Sequence, residues 1–153
     1  MMEELTFKAK EFDELSTREL YEIARARTEI FLMEQRIVCR DLDGEDYRAL
    51  HCFLEAENGT VMAYLRAMCA KEDADTVQIG RVLSLAHGKG LGKRLMLLSM
   101  PEIQKRRPCK RLLLHAQCHA KGFYEKLSFA VTSAEFLEEG VPHVTMEMEI
   151  TND

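Results

Sequence analysis

Polar and apolar residues alternate through Leu5, Phe7 and Ala9, which predicts a short opening strand. The period then changes. Leu20, Ile23, Ala24, Arg27, Ile30 and Phe31 fall on one face at helical spacing, and the pattern predicts a helix that runs to about Met33. Its start is marked twice: Ser16 and Glu19 have capping-box spacing, and Leu15 with Leu20 has the spacing of a hydrophobic staple. Two strands follow, His51 to Glu57 and Thr60 to Ala70, separated by Asn58-Gly59, a strong hairpin signal. Val61, Ala63, Leu65, Ala67 and Cys69 are expected on one face of the second strand.

A further strand is predicted from Val77 to Leu85, leading through a glycine-rich turn into a helix with Leu91, Leu95 and Leu98 on its inner face. Pro101 is expected to break or kink that helix, with Ser99 and Glu102 spaced to cap a fresh turn. Arg111 to His115 reads as a short buried strand, Ala120 to Leu127 as a short helix, and Phe129 to Phe136 as a strand. Glu138-Glu139-Gly140 reads as a turn, and Val144, Met146, Met148 and Ile150 alternate along a last strand. The order β, α, ββ, β, α, β, α, ββ predicts one α+β domain over residues 1–153, a mixed sheet with helices on both faces.

Composition removes some function classes. The chain has 153 residues, 46% apolar and 31% charged, as a soluble globular protein has. A net charge of −5 argues against nucleic-acid binding, which needs a basic face to displace counterions. Lys105-Arg106-Arg107 suits a helix C-terminus instead. No apolar run is long enough to span a bilayer and the first residues are acidic, so no membrane association and a cytoplasmic location are expected. The cysteines, Cys39, Cys52, Cys69, Cys109 and Cys118, are odd in number and read as reduced thiols. Cys109, His115, Cys118 and His119 lie close in sequence without C-x-x-C or H-x-x-x-H spacing, so no metal is expected. The acidic run Asp41-Leu42-Asp43-Gly44-Glu45-Asp46 lacks the closing glutamate of a calcium loop and reads as a solvated turn or a patch for a cationic ligand.

The stretch from Gly80 to Gly92 carries the first chemistry. A strand feeds Gly88-Lys89-Gly90-Leu91-Gly92, and a helix opens directly after it. The first turn of a helix leaves backbone N–H groups without partners at the positive end of the dipole, and glycines let a phosphate approach the backbone. Lys89, Lys93 and Arg94 add positive charge. A Walker A loop needs four residues between its glycines and then Lys-Ser or Lys-Thr. Here Gly88 and Gly92 enclose Lys89-Gly90-Leu91, and Arg94 follows Lys93. The Rossmann G-x-G-x-x-G spacing is also missing.

The stretch resembles the acetyl-CoA pyrophosphate loop of the GCN5-related N-acetyltransferases, [Q/R]-x-x-G-x-[G/A], with His87 before the glycines where that family has Gln or Arg. Ala116-Gln117 followed by Phe123-Tyr124 resembles the family's second cofactor segment, with Ser128 in place of its glycine. Phe31-Leu32-Met33-Glu34-Gln35, the acidic run with His51, Ile79-Gly80-Arg81-Val82, and Glu138-Glu139-Gly140-Val141-Pro142-His143 complete a series similar to the ElaA-like subgroup, over nearly the whole chain. Ser84-Leu85-Ala86-His87 is about two residues shorter than that subgroup has before its glycines.

The resemblance implies a bent sheet splayed open beside the strand of Leu112 to Leu114, binding acetyl-CoA without a metal and transferring its acetyl group to an amine in a ternary complex. It implies cofactor contacts from Val82, Leu83, Ser84, Leu85, Gly88, Lys89, Gly90, Leu91, Gly92, Lys93, Gln117 and Phe123, with backbone N–H groups near Leu83 to Leu85 polarising the thioester. Tyr124 is expected as general acid to the leaving thiolate and Glu34 as base, directly or through water. Asp41, Asp43, Arg81 and His143 are expected on the acceptor side, with His51 and His143 as proton shuttles. The acceptor class stays open between small amines and protein amines, and a homodimer is allowed. The rival is a non-catalytic acyl-CoA-binding module.

Overall fold

A computed structural model describes residues 4–151. Eight strands form one sheet: β1 (Leu5–Glu11), β2 (Leu50–Ala56), β3 (Val61–Cys69), β4 (Thr76–Ser84), β5 (Arg111–Gln117), β6 (Ala130–Val131), β7 (Phe136–Glu138) and β8 (Val141–Glu149). The order is β1-β2-β3-β4-β5-β8-β6, with β7 also paired to β8. Among the described residues only β4–β5 is parallel, and helix α2 (Leu91–Arg106) makes that crossover. Helix α1 (Thr17–Arg27) packs on one face, and α2 with α3 (Lys121–Glu125) on the other. Among the described residues no helix is long and apolar enough to cross a membrane.

Two apolar clusters separate the faces. Leu95, Met96 and Ile103 of α2 meet Ala63, Leu65, Val77, Ile79, Leu112, Leu114 and Met146 on one side. Ile23, Ala26 and Ile30 meet Phe53, Val61, Tyr64 and Leu83 on the other. The capping box of Ser16 and Glu19 forms as predicted and starts α1. After Arg27 the helix widens into a π-helical stretch, Thr28–Glu34, so the helical path ends close to the expected Met33 with altered geometry.

Several expectations are corrected. Val61 joins the α1 face instead of following Ala63, because a register shift at Leu54/Glu55 resets the alternation. The hairpin at Asn58-Gly59 forms, but Ala56 and Thr60 close a three-residue loop with Gly59 at φ 90°. Helix α2 runs through Pro101 without a fresh cap. Leu97 and Pro101 are both exposed, so the carbonyl that the missing proline N–H leaves free lies on the solvent side of the helix. Met96 and Ser99, not Leu98, complete the buried face. The strand expected over Phe129 to Phe136 resolves into the two-residue β6 and separate β7, and Glu139 (φ 51°) with Gly140 (φ 76°) makes the tight turn into β8.

Candidate active site

Strands β4 and β5 pair from Thr76–Arg111 to Ile79–Leu114 and then part. Beyond that point β4 continues to Ser84 and β5 to Gln117. Between them opens a cleft of about 660 Å³, lined on the β4 side by Arg81, Val82, Leu83 and Ser84 and on the β5 side by His115, Ala116 and Gln117. A sheet interior ordinarily satisfies such backbone groups, so a strand edge left open in mid-sheet is a place for an extended polar chain.

A bulge in β4 sets the geometry. Tyr64 pairs with Leu83 but Arg66 with Gly80, so Leu65 faces two residues, and Arg81 takes φ 53°. A left-handed non-glycine residue costs about 1–2 kcal/mol. Arg81 is held there by Asp41, whose Oδ1 lies 2.8 Å from its Nε and whose carbonyl lies 3.1 Å from its Nη2. The extra residue shifts the phase: Ile79 and Val82 meet the α2 cluster, while Leu83 meets the α1 cluster. The N–H of Leu85 donates to the carbonyl of Met62 at 2.8 Å. By alternation the backbone groups of Ser84 and Val82 face the cleft. The expected contribution of Leu85 is therefore corrected: its N–H is consumed by β3 and its side chain packs in the α1 cluster.

The glycine loop stands at the mouth. Gly88 (φ 73°) and Gly90 (φ 72°) are both left-handed and exposed. Gly90 is the N-cap of α2 and offers no side-chain cap; the first helical bond runs from Arg94 N–H to the Gly90 carbonyl. The N–H groups of Leu91, Gly92 and Lys93 thus lie in the uncapped first turn, beside exposed Lys89 and Lys93. A Cβ on Gly92 would stand 3.4 Å from Phe123 Cζ, so the glycine lets α2 approach α3. Phe123 and Tyr124 both line the cleft. These residues fit an acyl-CoA: an uncapped helix start for phosphates, and an open strand edge for the amide-bearing arm.

Tyr124 is only 8% exposed, with its ring edge-on to Phe123 and Phe129. Burial pushes its phenol up, so it stays protonated at neutral pH. Gln117 donates to Gln35 across the cleft at 3.0 Å and stands 2.7 Å from His119.

The acceptor side differs most from expectation. Asp41 and Asp43 line the cleft, but as partners of arginines. Arg27, 1% exposed, pairs with Asp41 and Asp46, and Arg66 holds Asp43 at 2.6 Å and Asp46 at 2.9 Å. Hydrogen bonds from Arg66 hold the Asp43 carboxyl well below the usual range, against its burial. The acidic run is thus neither a solvated turn nor an open acidic patch. Its arginine partners lie on α1, β3 and β4: Arg81, expected on the acceptor side, is one of them, whereas nothing in the local sequence marks Arg27 and Arg66 as partners. Glu34 is outside the cleft lining and pairs with His87 at 2.7 Å, at the glycine-loop end, which corrects its placement as base. His51 is buried away from the cleft. Its Nε2 donates to the Asp46 carbonyl, its Nδ1 accepts from Tyr64, and burial holds it below the usual imidazole range. It supports the arginine network and shuttles no proton into the cleft.

His143 does line the cleft, and with it two residues to which the sequence assigned no site role, His115 and Glu138. Alternation in β5 puts His115 on the same face as Gln117, the one local signal that points to it. The five cysteines are free thiols. Among the described residues no group of three or more His, Cys, Asp or Glu is placed to hold a metal ion.

Residues 45–150 match the family model described as an acetyltransferase (GNAT) domain. A UPF0039 protein of Schizosaccharomyces pombe is 34% identical over 97% of this chain and 100% of its own length. Protein ElaA of Escherichia coli is 31% identical over 90% of this chain and 92% of its own. The crystal structure of E. coli ElaA matches with a TM-score of 0.87 at 29% identity, covering 95% of this chain and 100% of that one. An acyl-CoA N-acyltransferase from Pseudomonas aeruginosa matches with a TM-score of 0.86 at 30% identity, covering 94% of this chain and 99% of that one. Sequence and fold agree over nearly the whole length, and the chain belongs to the GCN5-related N-acetyltransferase family, among its ElaA-like members.

Proposed function

We propose that the protein transfers an acetyl group from acetyl-CoA to a primary amine, on a small molecule or a protein, by direct attack within a ternary complex. The GNAT fold supports acyl transfer in general; the acetyl donor, the amine acceptor and the residue roles are inferred. The observation that carries the reading is the parting of β4 and β5 beyond Ile79–Leu114, which brings the open edge at Ser84 and the side chain of Tyr124 to one cleft.

Acetyl-CoA supplies a thioester whose carbonyl carbon is attacked and whose thiolate leaves. The first turn of α2, with Gly88, Lys89, Gly90, Leu91, Gly92 and Lys93, holds its phosphates, and Val82, Ser84, Gln117 and Phe123 line the path of the arm. The Ser84 N–H, directed into the cleft, stabilises negative charge on the thioester oxygen. Tyr124 gives its hydroxyl proton to the departing sulfur.

Free-thiol release from acetyl-CoA, measured across a panel of alkyl amines, amino acids, aminoglycosides and lysine peptides, tests this. Release that needs both acetyl-CoA and one amine class is expected. Calorimetric binding of acetyl-CoA with no thiol release from any amine would instead identify a non-catalytic acyl-CoA-binding module.

A further inference from the structure

His115, Glu138 and His143 stand together on the face of the sheet opposite α2 and α3. In β8, Val144 packs in the α2 cluster, so His143 points to the other face. His143 pairs in register with Gln117 of β5 and with Phe136 of β7, so all three share that face, and His115 and Glu138 share it by their two-residue spacing. We propose that this cluster takes the proton from the acceptor ammonium, with His143 as the base and Glu138 as its positioning residue. The assignment rests on the acetyl-transfer reading and adds the acceptor's side of it.

The hydrogen bonds settle the tautomer. His143 Nδ1 lies 2.7 Å from the carbonyl of Val141, which only accepts, so Nδ1 carries a proton. In the neutral ring Nε2 is then an acceptor. It lies 3.5 Å from Glu138 Oε2, too long for a strong hydrogen bond, and a shared cation would bind both groups. The other carboxylate oxygen is fixed by His115 Nδ1 at 2.9 Å. Phe136 stacks on His143 at 6.1 Å and meets His115 edge-on at 5.2 Å, which holds both rings. His115 on β5 and Arg81 across the cleft act directly on the His143–Glu138 pair, and Glu139, Asp41, Asp43 and Arg40 line the same cleft. The hydrogen bond from His115 keeps Glu138 below the usual carboxylate range, so it stays anionic and stabilises an imidazolium. Imidazole is the side chain whose ordinary pKa lies closest to neutrality, which suits a base for an ammonium.

The placement also fits the direction of attack. Tyr124 belongs to the α2–α3 face, where the thiolate leaves, and His143 to the opposite face. An N–H bond of the ammonium breaks, its electron pair stays on nitrogen, and the proton goes to His143 Nε2. The freed pair forms the C–N bond, the C–S bond breaks with its pair on sulfur, and sulfur takes the Tyr124 proton. The second proton of the acylated nitrogen restores Tyr124 through solvent, and His143 releases its proton to solvent.

The test is thiol release with the accepted amine, from pH 7 to 10, for wild type, His143→Gln and Glu138→Gln. His143→Gln should lower kcat/KM about a hundredfold at pH 7. The gap should close toward pH 10, where the amine loses its proton unaided. The stabilisation by acetyl-CoA, read as a shift in melting temperature, should be unchanged. Glu138→Gln, on a half-exposed residue, should show the same closing gap at smaller amplitude and decides the matter if His143→Gln does not fold. A loss independent of pH overturns this assignment alone. Wild type that releases thiol with no amine overturns it together with the acetyl-transfer reading.

Discussion

The carbonyl of Tyr124 accepts the backbone N–H of Phe129 at 3.1 Å, and their rings meet edge to face at 6.1 Å. Together with the bond from Ser128 N–H to the Glu125 carbonyl, also 3.1 Å, this forms a Schellman cap on α3. The cap requires a left-handed residue, and Ser128 occupies it at φ 78°. The cap anchors the short helix that presents Tyr124.

Ser128→Gly should therefore stabilise the fold. Removing the left-handed penalty of about 1–2 kcal/mol outweighs the roughly 0.5–1 kcal/mol of added freedom in the unfolded chain. A rise in melting temperature of about 2 °C is expected by calorimetry. A lower melting temperature would show that the serine side chain stabilises the cap itself.

Much of the architecture was legible because it rests on local signals. The capping box at Ser16 and Glu19, the turn at Gly59 and the alternation of Val144 and Met146 each act within a few residues. The corrections arise where partners are remote. The bulge that reverses Leu83 depends on the pairing of β4 with β3, and no local residue type signals it at Arg81. Pro101 reads as a breaker until its exposure is known. In the cleft, the glycine loop and Tyr124 came from one contiguous stretch each, whereas the arginine partners of Asp41, Asp43 and Asp46 come from α1, β3 and β4.

Asp43→Asn tests whether the acidic run is scaffold or binding surface. Losing the charge that faces Arg66 should destabilise the protein by about 2 kcal/mol, the scale of a hydrogen bond to a charged group. Because the folded-state carboxyl is depressed, its contribution is complete above the ordinary carboxylate value near about 4 and fades as pH falls through the depressed folded value. The stability gap between wild type and variant should accordingly shrink below about pH 4 in denaturant titrations. Unchanged stability with a raised acceptor KM would return Asp43 to the acceptor.

Tyr124→Phe separates acid from packing. The phenyl ring keeps its contacts with Phe123 and Phe129, so binding of acetyl-CoA should persist. Loss of the proton donor should lower kcat by about a hundredfold. Steady-state kinetics with parallel calorimetry decides it; undiminished turnover would leave the thiolate to be protonated by water.

The short β4–β5 seam has a consequence for how the chain assembles. Strands β1 to β4 are neighbours in sequence as well as in space, and β5 pairs with β8, which also carries β6 and β7. Each half-sheet carries its own ladders, while β4 and β5 share backbone pairing only from Thr76–Arg111 to Ile79–Leu114, and the apolar cluster under α2 is left to join the halves. A ligand lying along the remaining open edges would complete the missing ladder and couple the halves. A bound arm would thus add a second join to the one the α2 core already makes, and its stabilisation would be felt by both half-sheets at once.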